Sequence, residues 1–138
     1  MMETVPIVLG AALLFGLMLL AVPRARGHSI KSIDKALVRR RWDEITTIAA
    51  KPDQSARYAI IEADKLLDYV LKNRGYSGET MGERMRSAAT DFSYTDDVWE
   101  AHKLRNKLVH EAQYELESHL INRSITQFER ALKDMGAL

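Results

Sequence analysis

At 138 residues, with an apolar run at its front, the chain is long enough for one packed core and too short for two. Cysteine is absent, which excludes disulfides, thiolate metal sites and cysteine nucleophiles. The net charge of +1 conceals an asymmetry: residues 24–41 carry seven Lys or Arg against Asp34 alone, whereas 42–138 hold 13 bases against 17 acids. The basic character therefore belongs to the front of the chain, and the main domain does not read as an RNA-binding surface.

Residues 1–4 precede the run Val5 to Val22, VPIVLGAALLFGLMLLAV, which is 18 residues without a charge. That length predicts a transmembrane helix, with Pro6 tolerated in its first turn. The flank before it holds Glu3 and no Lys or Arg, so it lacks the positive region of a cleaved secretory signal. Immediately after the span come Arg24, Arg26, Lys31, Lys35, Arg39, Arg40 and Arg41. Positive charge marks the cytoplasmic flank, so the expectation is a single-pass cell-membrane protein with its N-terminus outside and its domain on the cytoplasmic side.

The stretch 23–41 is expected to be a basic juxtamembrane segment that opens the first helix. Ile30, Ile33 and Leu37 recur at helical spacing, while Lys31, Lys35 and Arg39 share another face. Two readings stand side by side: a bundle helix with a solvated charged stripe, or a segment lying on the anionic headgroups of the inner leaflet.

From residue 42 to 138 the pattern is that of a helical bundle. A helix announced by Pro52 and Asp53 runs to about Arg74, with Ala59, Ile60, Ala63, Leu66, Leu67, Val70 and Leu71 on one broad apolar face, and Gly75 stops it. Thr80 and Glu83 form a capping-box pair that opens a short helix to about Ala89. Acids after Ser93 begin a helix from Asp96 to about Ala112, and a last helix from Leu116 to Met135 carries Leu120, Ser124, Phe128 and Ala131 on one side. No run reads as a strand, so the fold class is all-α: an N-terminal transmembrane helix followed by an antiparallel four-to-five-helix bundle.

On the Asp96 helix, Val98, Ala101, Leu104, Leu108, Val109 and Ala112 fall in one arc, and Arg105 falls inside it. A guanidinium among apolar positions must be paired, and Asp64, at the edge of the apolar face of the Pro52 helix, is the candidate partner. Beside the arc, His102, Asn106 and His110 line up at i, i+4 and i+8, with Trp99 between the last two in angle. Trp42 and Trp99 read as core or interface anchors rather than base-stacking platforms. His102 reads as a face-filling residue hydrogen-bonded across the bundle. It stands two turns, about 12 Å, from His110, too far for both to hold one metal, so no metal and no cofactor are expected.

Arg105, Asn106 and His110 reproduce the R-N-x-x-x-H motif of HEPN domains, and the domain as a whole resembles that family in its bundle form and in the motif's place on the helix before the last. With 12 Arg, 3 Asn and 4 His in the chain, the triplet is expected by chance roughly 0.008 times, which makes it moderately specific. The resemblance implies a choice. Some HEPN domains are metal-independent endoribonucleases, while others bind nucleotides or partner proteins. In the nuclease case it implies His110 as general base or acid on the ribose 2′-hydroxyl, Arg105 as stabiliser of the phosphorane and Asn106 as the residue that orients them. The family builds such sites across a homodimer. The spacing here is compatible with that, since Arg105 and His110 lie about 140° apart on an ideal helix. The first reading is a membrane-tethered dimeric module that binds a protein partner or a nucleotide, and the alternative is a ribonuclease acting on RNA.

Overall fold

The computed structural model describes residues 32–51 and 54–138. The span 5–22, the flanking Arg24, Arg26 and Lys31, and the Pro52–Asp53 helix start lie outside the described residues. Among those described, no helix is long and apolar enough to cross a membrane. Every regular element described is helical: α1 Lys35–Ala49, α2 Ser55–Asn73, α3 Met81–Ser87, α4 Thr95–His110 and α5 Ser118–Asp134, with one turn of 3-10 helix at Ala89–Asp91. The described residues thus form a bundle of four long helices and one short one.

Local chemistry sets the ends. The Asp34 side chain accepts from the Leu37 amide at 3.0 Å and so caps α1. This helix runs unbroken across position 41, and Val38 joins Trp42 and Ile45 in the core, so the basic stretch from Lys35 onward is built into the bundle. Lys35, Arg39, Arg40 and Arg41 stay exposed, with the Arg41 guanidinium 6.0 Å from the centre of the Tyr69 ring. The expected capping box is present in full: Thr80 accepts from the Glu83 amide, and the Glu83 carboxylate accepts from the Thr80 amide. Helices α2 and α5 both close on a left-handed glycine, Gly75 (φ 83°) and Gly136 (φ 62°). In each case the amide after the glycine reaches back to the helix, Tyr76 to Leu71 and Ala137 to Leu132.

Helix α2 is the centre of the packing, touching all four others. Its Ile60, Leu66, Leu67, Val70 and Leu71 meet Val38 and Trp42 from α1, Met85 from α3, Val98 and Leu108 from α4, and Phe128, Ala131 and Leu132 from α5. Side-chain bonds give the directions. Arg57 near the start of α2 reaches the end of α4, while Asp64 meets the middle of α4, so these two helices run antiparallel. Asp97 with Arg130 and Glu100 with Arg123 set α4 antiparallel to α5.

Arg57 of α2 and Arg74, just past its end, act as staples. The Arg57 guanidinium donates to the carbonyls of Leu108 (2.6 Å) and Tyr114 (2.7 Å), with longer contacts to Glu111 and Ala112. It thereby satisfies the acceptors that the end of α4 leaves open. Arg74 does the same for α5, donating to Met135 and Gly136.

One part of the expected arc on α4 is not buried. Val109 is 48% exposed, and Ala112 lies past the end of the helix at His110 and is exposed. The chain leaves α4 there to be received by Arg57, so the last apolar positions never reach the core. Phe128 is fully buried, so Phe128→Ala is expected to cost about 3–5 kcal/mol. Val109→Ala should cost less than about 0.5 kcal/mol. Urea unfolding of the two variants checks this difference.

Candidate functional site

A stripe of α2 carries the polar centre of the molecule. Arg57, Ile61, Asp64 and Asp68 follow one another at three- and four-residue steps, and Asp64 is only 2% exposed. A carboxylate buried to that extent must be surrounded by donors, because losing its hydration is costly. Helix α4 supplies them. The His102 Nδ1 lies 2.7 Å from Asp64 Oδ1, and the Arg105 Nε lies 3.3 Å from Asp64 Oδ2. The Arg105 Nη1 donates to Asn106 Oδ1 at 2.9 Å, and Asn106 Nδ2 stands 3.3 Å from His102 Nε2. These four contacts close a ring: Asp64, His102, Asn106, Arg105 and back to Asp64.

The ring fixes the orientation of each member. Arg105 can only donate, so Asn106 must turn its oxygen toward it. The amide nitrogen then faces His102 Nε2, which must accept, and the imidazole proton therefore sits on Nδ1 and is donated to Asp64. The Arg105 Nε is buried without a hydrogen-bond partner although it lies at ion-pair distance from Asp64. That contact is charge against charge, without a well-directed hydrogen bond. Trp99 completes the surroundings, its ring meeting the His102 ring edge-on at 5.9 Å and lying against Gly82 of α3.

The residues of the R-N-x-x-x-H pattern thus go to different places. Arg105 and Asn106 join the ring, with the Arg105 side chain 26% exposed, while His110, the last residue of α4, is exposed and outside the ring. Asp64 is paired with Arg105, and His102 contributes more than filling a face, since it links Asp64 to Asn106. A helical wheel puts His102 beside the arc but does not reveal that Asp64 sits opposite it. Among the described residues no group of three or more His, Asp or Glu could hold a metal ion.

A second ion pair on the same stripe was not evident from the sequence. Arg84 of α3, 5% exposed, donates from Nε to Asp68 Oδ1 at 2.6 Å and from Nη1 to the Gly78 carbonyl. Lys72 reaches the other oxygen of Asp68 at 2.8 Å. Burial on its own would raise the Asp68 carboxyl, but hydrogen bonds from Arg84 and Lys72 and their charges hold it below the ordinary value.

Compared with known proteins, the chain matches no family model, no curated protein and no solved structure.

Two outcomes test this geometry. Because the folded Asp68 value is depressed, its stabilisation is present above the unfolded value of 3.8 and is lost as pH falls through the lower folded value. Urea midpoints measured from neutral pH into that acid range should fall, and Asp68→Asn should remove part of the fall. In a double-mutant cycle, Asp64→Ala alone should cost about 2–4 kcal/mol, towards the lower end for a buried pair because Arg105 is partly solvated. Adding Arg105→Ala should recover more than about 0.5 kcal/mol of the simple sum, since the two residues are coupled.

Proposed function

We propose that this chain is a membrane-tethered, HEPN-like helical module that works by binding, through self-association or a protein partner along the exposed side of α4, and that it does not cleave RNA. The observation that carries the reading is the division of the motif. Arg105 and Asn106 are held by Asp64 and His102, while His110 is solvent-facing and joined to neither. In a ribonuclease the guanidinium has to meet a phosphorane and the imidazole a 2′-hydroxyl at the same phosphate. Here the guanidinium already neutralises a buried carboxylate, which favours a positioning and stabilising task. The membrane tether rests on the uncharged run 5–22 and the seven cations that follow it. The acidic balance of 42–138 also favours a protein partner over nucleic acid.

The ribonuclease reading keeps one specific support. Arg105 is 26% exposed in its side chain, and His110 is exposed on the same helix, so a second copy could bring its own His110 to this Arg105.

The test is made on the full chain in lipid nanodiscs, incubated with structured and unstructured RNA in excess chelator beside His110→Ala. The expected result is intact RNA from both proteins, with chemical cross-links between copies formed through α4. Fragments ending in cyclic phosphate, made by the parent chain and absent with His110→Ala, would overturn the binding reading and establish the nuclease.

A further inference from the structure

Residues of α4 and α5, with Tyr114 from the segment between them, line a groove of about 460 Å³, within the range of small-molecule sites. The ring of Asp64, His102, Asn106 and Arg105 is not part of its lining. Its lining includes Ser124, which is only 3% exposed and whose side chain makes no hydrogen bond with any described residue. With no such bond, its hydroxyl opens to the cavity and is free to donate to or accept from a ligand. Beside it Gln127, also 3% exposed, gives its amide nitrogen to Glu100 at 2.8 Å, which leaves its amide oxygen available.

The rest of the lining differs in character. Trp99 and Tyr114 bring aromatic rings, and Leu104 and Leu120 supply aliphatic surface. Lys103 and Lys107 follow Trp99 at one and two helical turns along the same edge. Lys103 has no acidic partner among the described residues, and the Lys107 ammonium stands 5.8 Å from the centre of the Tyr114 ring. The third cation of the lining, Arg123, is occupied by Glu100 at 2.7 Å. Two available ammonium groups therefore border an aromatic recess that also carries the Ser124 hydroxyl and the Gln127 amide oxygen, with the carboxylates of Asp96 and Glu100 on its rim.

We propose that this groove is a binding site for a small molecule that combines a flat ring with an anionic group. The ring lies against Trp99 and Tyr114, the anion meets Lys103 and Lys107, and a polar substituent of the ring reaches Ser124 and Gln127. Trp99 belongs both to the groove and to the surroundings of His102, so a ligand stacked on it touches the side chain that supports the ring of α4. The groove shares the exposed side of α4 with the proposed self-association, but titration with a small probe and cross-linking between copies read the two separately, so either can fail without the other.

Calorimetric titration of the full chain in phosphatidylcholine nanodiscs, with 1-naphthyl phosphate as probe, tests the site. Saturable binding is expected, at least about tenfold weaker in Lys103→Glu/Lys107→Glu and several-fold weaker in Ser124→Ala, with thermal midpoints of both variants near that of the parent. Inorganic phosphate alone should bind at least about tenfold more weakly than the probe. The proposal is overturned by the absence of saturable heat at millimolar probe, by equal binding of inorganic phosphate, or by undiminished binding in the lysine variant. Ser124→Ala gives a reading even if the charge-reversed variant fails to fold.

Discussion

The buried carboxylate of Asp64 is the constraint around which this bundle is arranged. It lies 2% exposed on α2, the helix that touches every other one, and an uncompensated charge there would cost more than most of the apolar contacts around it contribute. Helix α4 must therefore cross α2 at a height and rotation that bring His102 and Arg105 to its two oxygens. Arg57, two turns earlier on α2, receives the end of the same helix. One antiparallel pair is thus fixed at two points along its length, by charge in the middle and by a carbonyl cap at the end.

The consequence for function follows from which donors the carboxylate takes. Arg105 and Asn106 are neighbours in sequence, and on a helix they point about 100° apart. The ring through His102 nevertheless brings their polar ends together at 2.9 Å. Side chains fixed in this way would lose little further entropy if the proposed partner met the exposed edge of Arg105. His110 sits at the C-terminal end of α4, where a histidine is favoured by the helix dipole whatever its chemistry.

Much of this was legible in the sequence, for identifiable reasons. The Thr80–Glu83 box and Gly75 announce helix ends through local backbone chemistry, which distant residues seldom alter. The Asp64–Arg105 pair was legible because a guanidinium in an apolar arc demands an acid, and few acids border an apolar face. What depends on two helices at once was not. Nothing local tells that His102 bridges Asp64 to Asn106, that Arg57 and Arg74 spend their donors on carbonyls, or that Lys103 and Lys107 flank a recess with Trp99. Val109 and Ala112 continue the apolar period, yet the turn after His110 carries them out of the core. The span 5–22 lies outside the described residues and stands on its composition.

The most direct measurement is the tautomer of His102 in the full chain, read from the nitrogen chemical shifts of its ring by NMR in nanodiscs. The ring of Asp64, His102, Asn106 and Arg105 requires the proton on Nδ1, an unprotonated Nε2, and loss of that state in Asp64→Ala. A proton on Nε2, or a ring averaging freely between tautomers with no response to Asp64→Ala, would contradict the arrangement and return Arg105 and Asn106 to other duties.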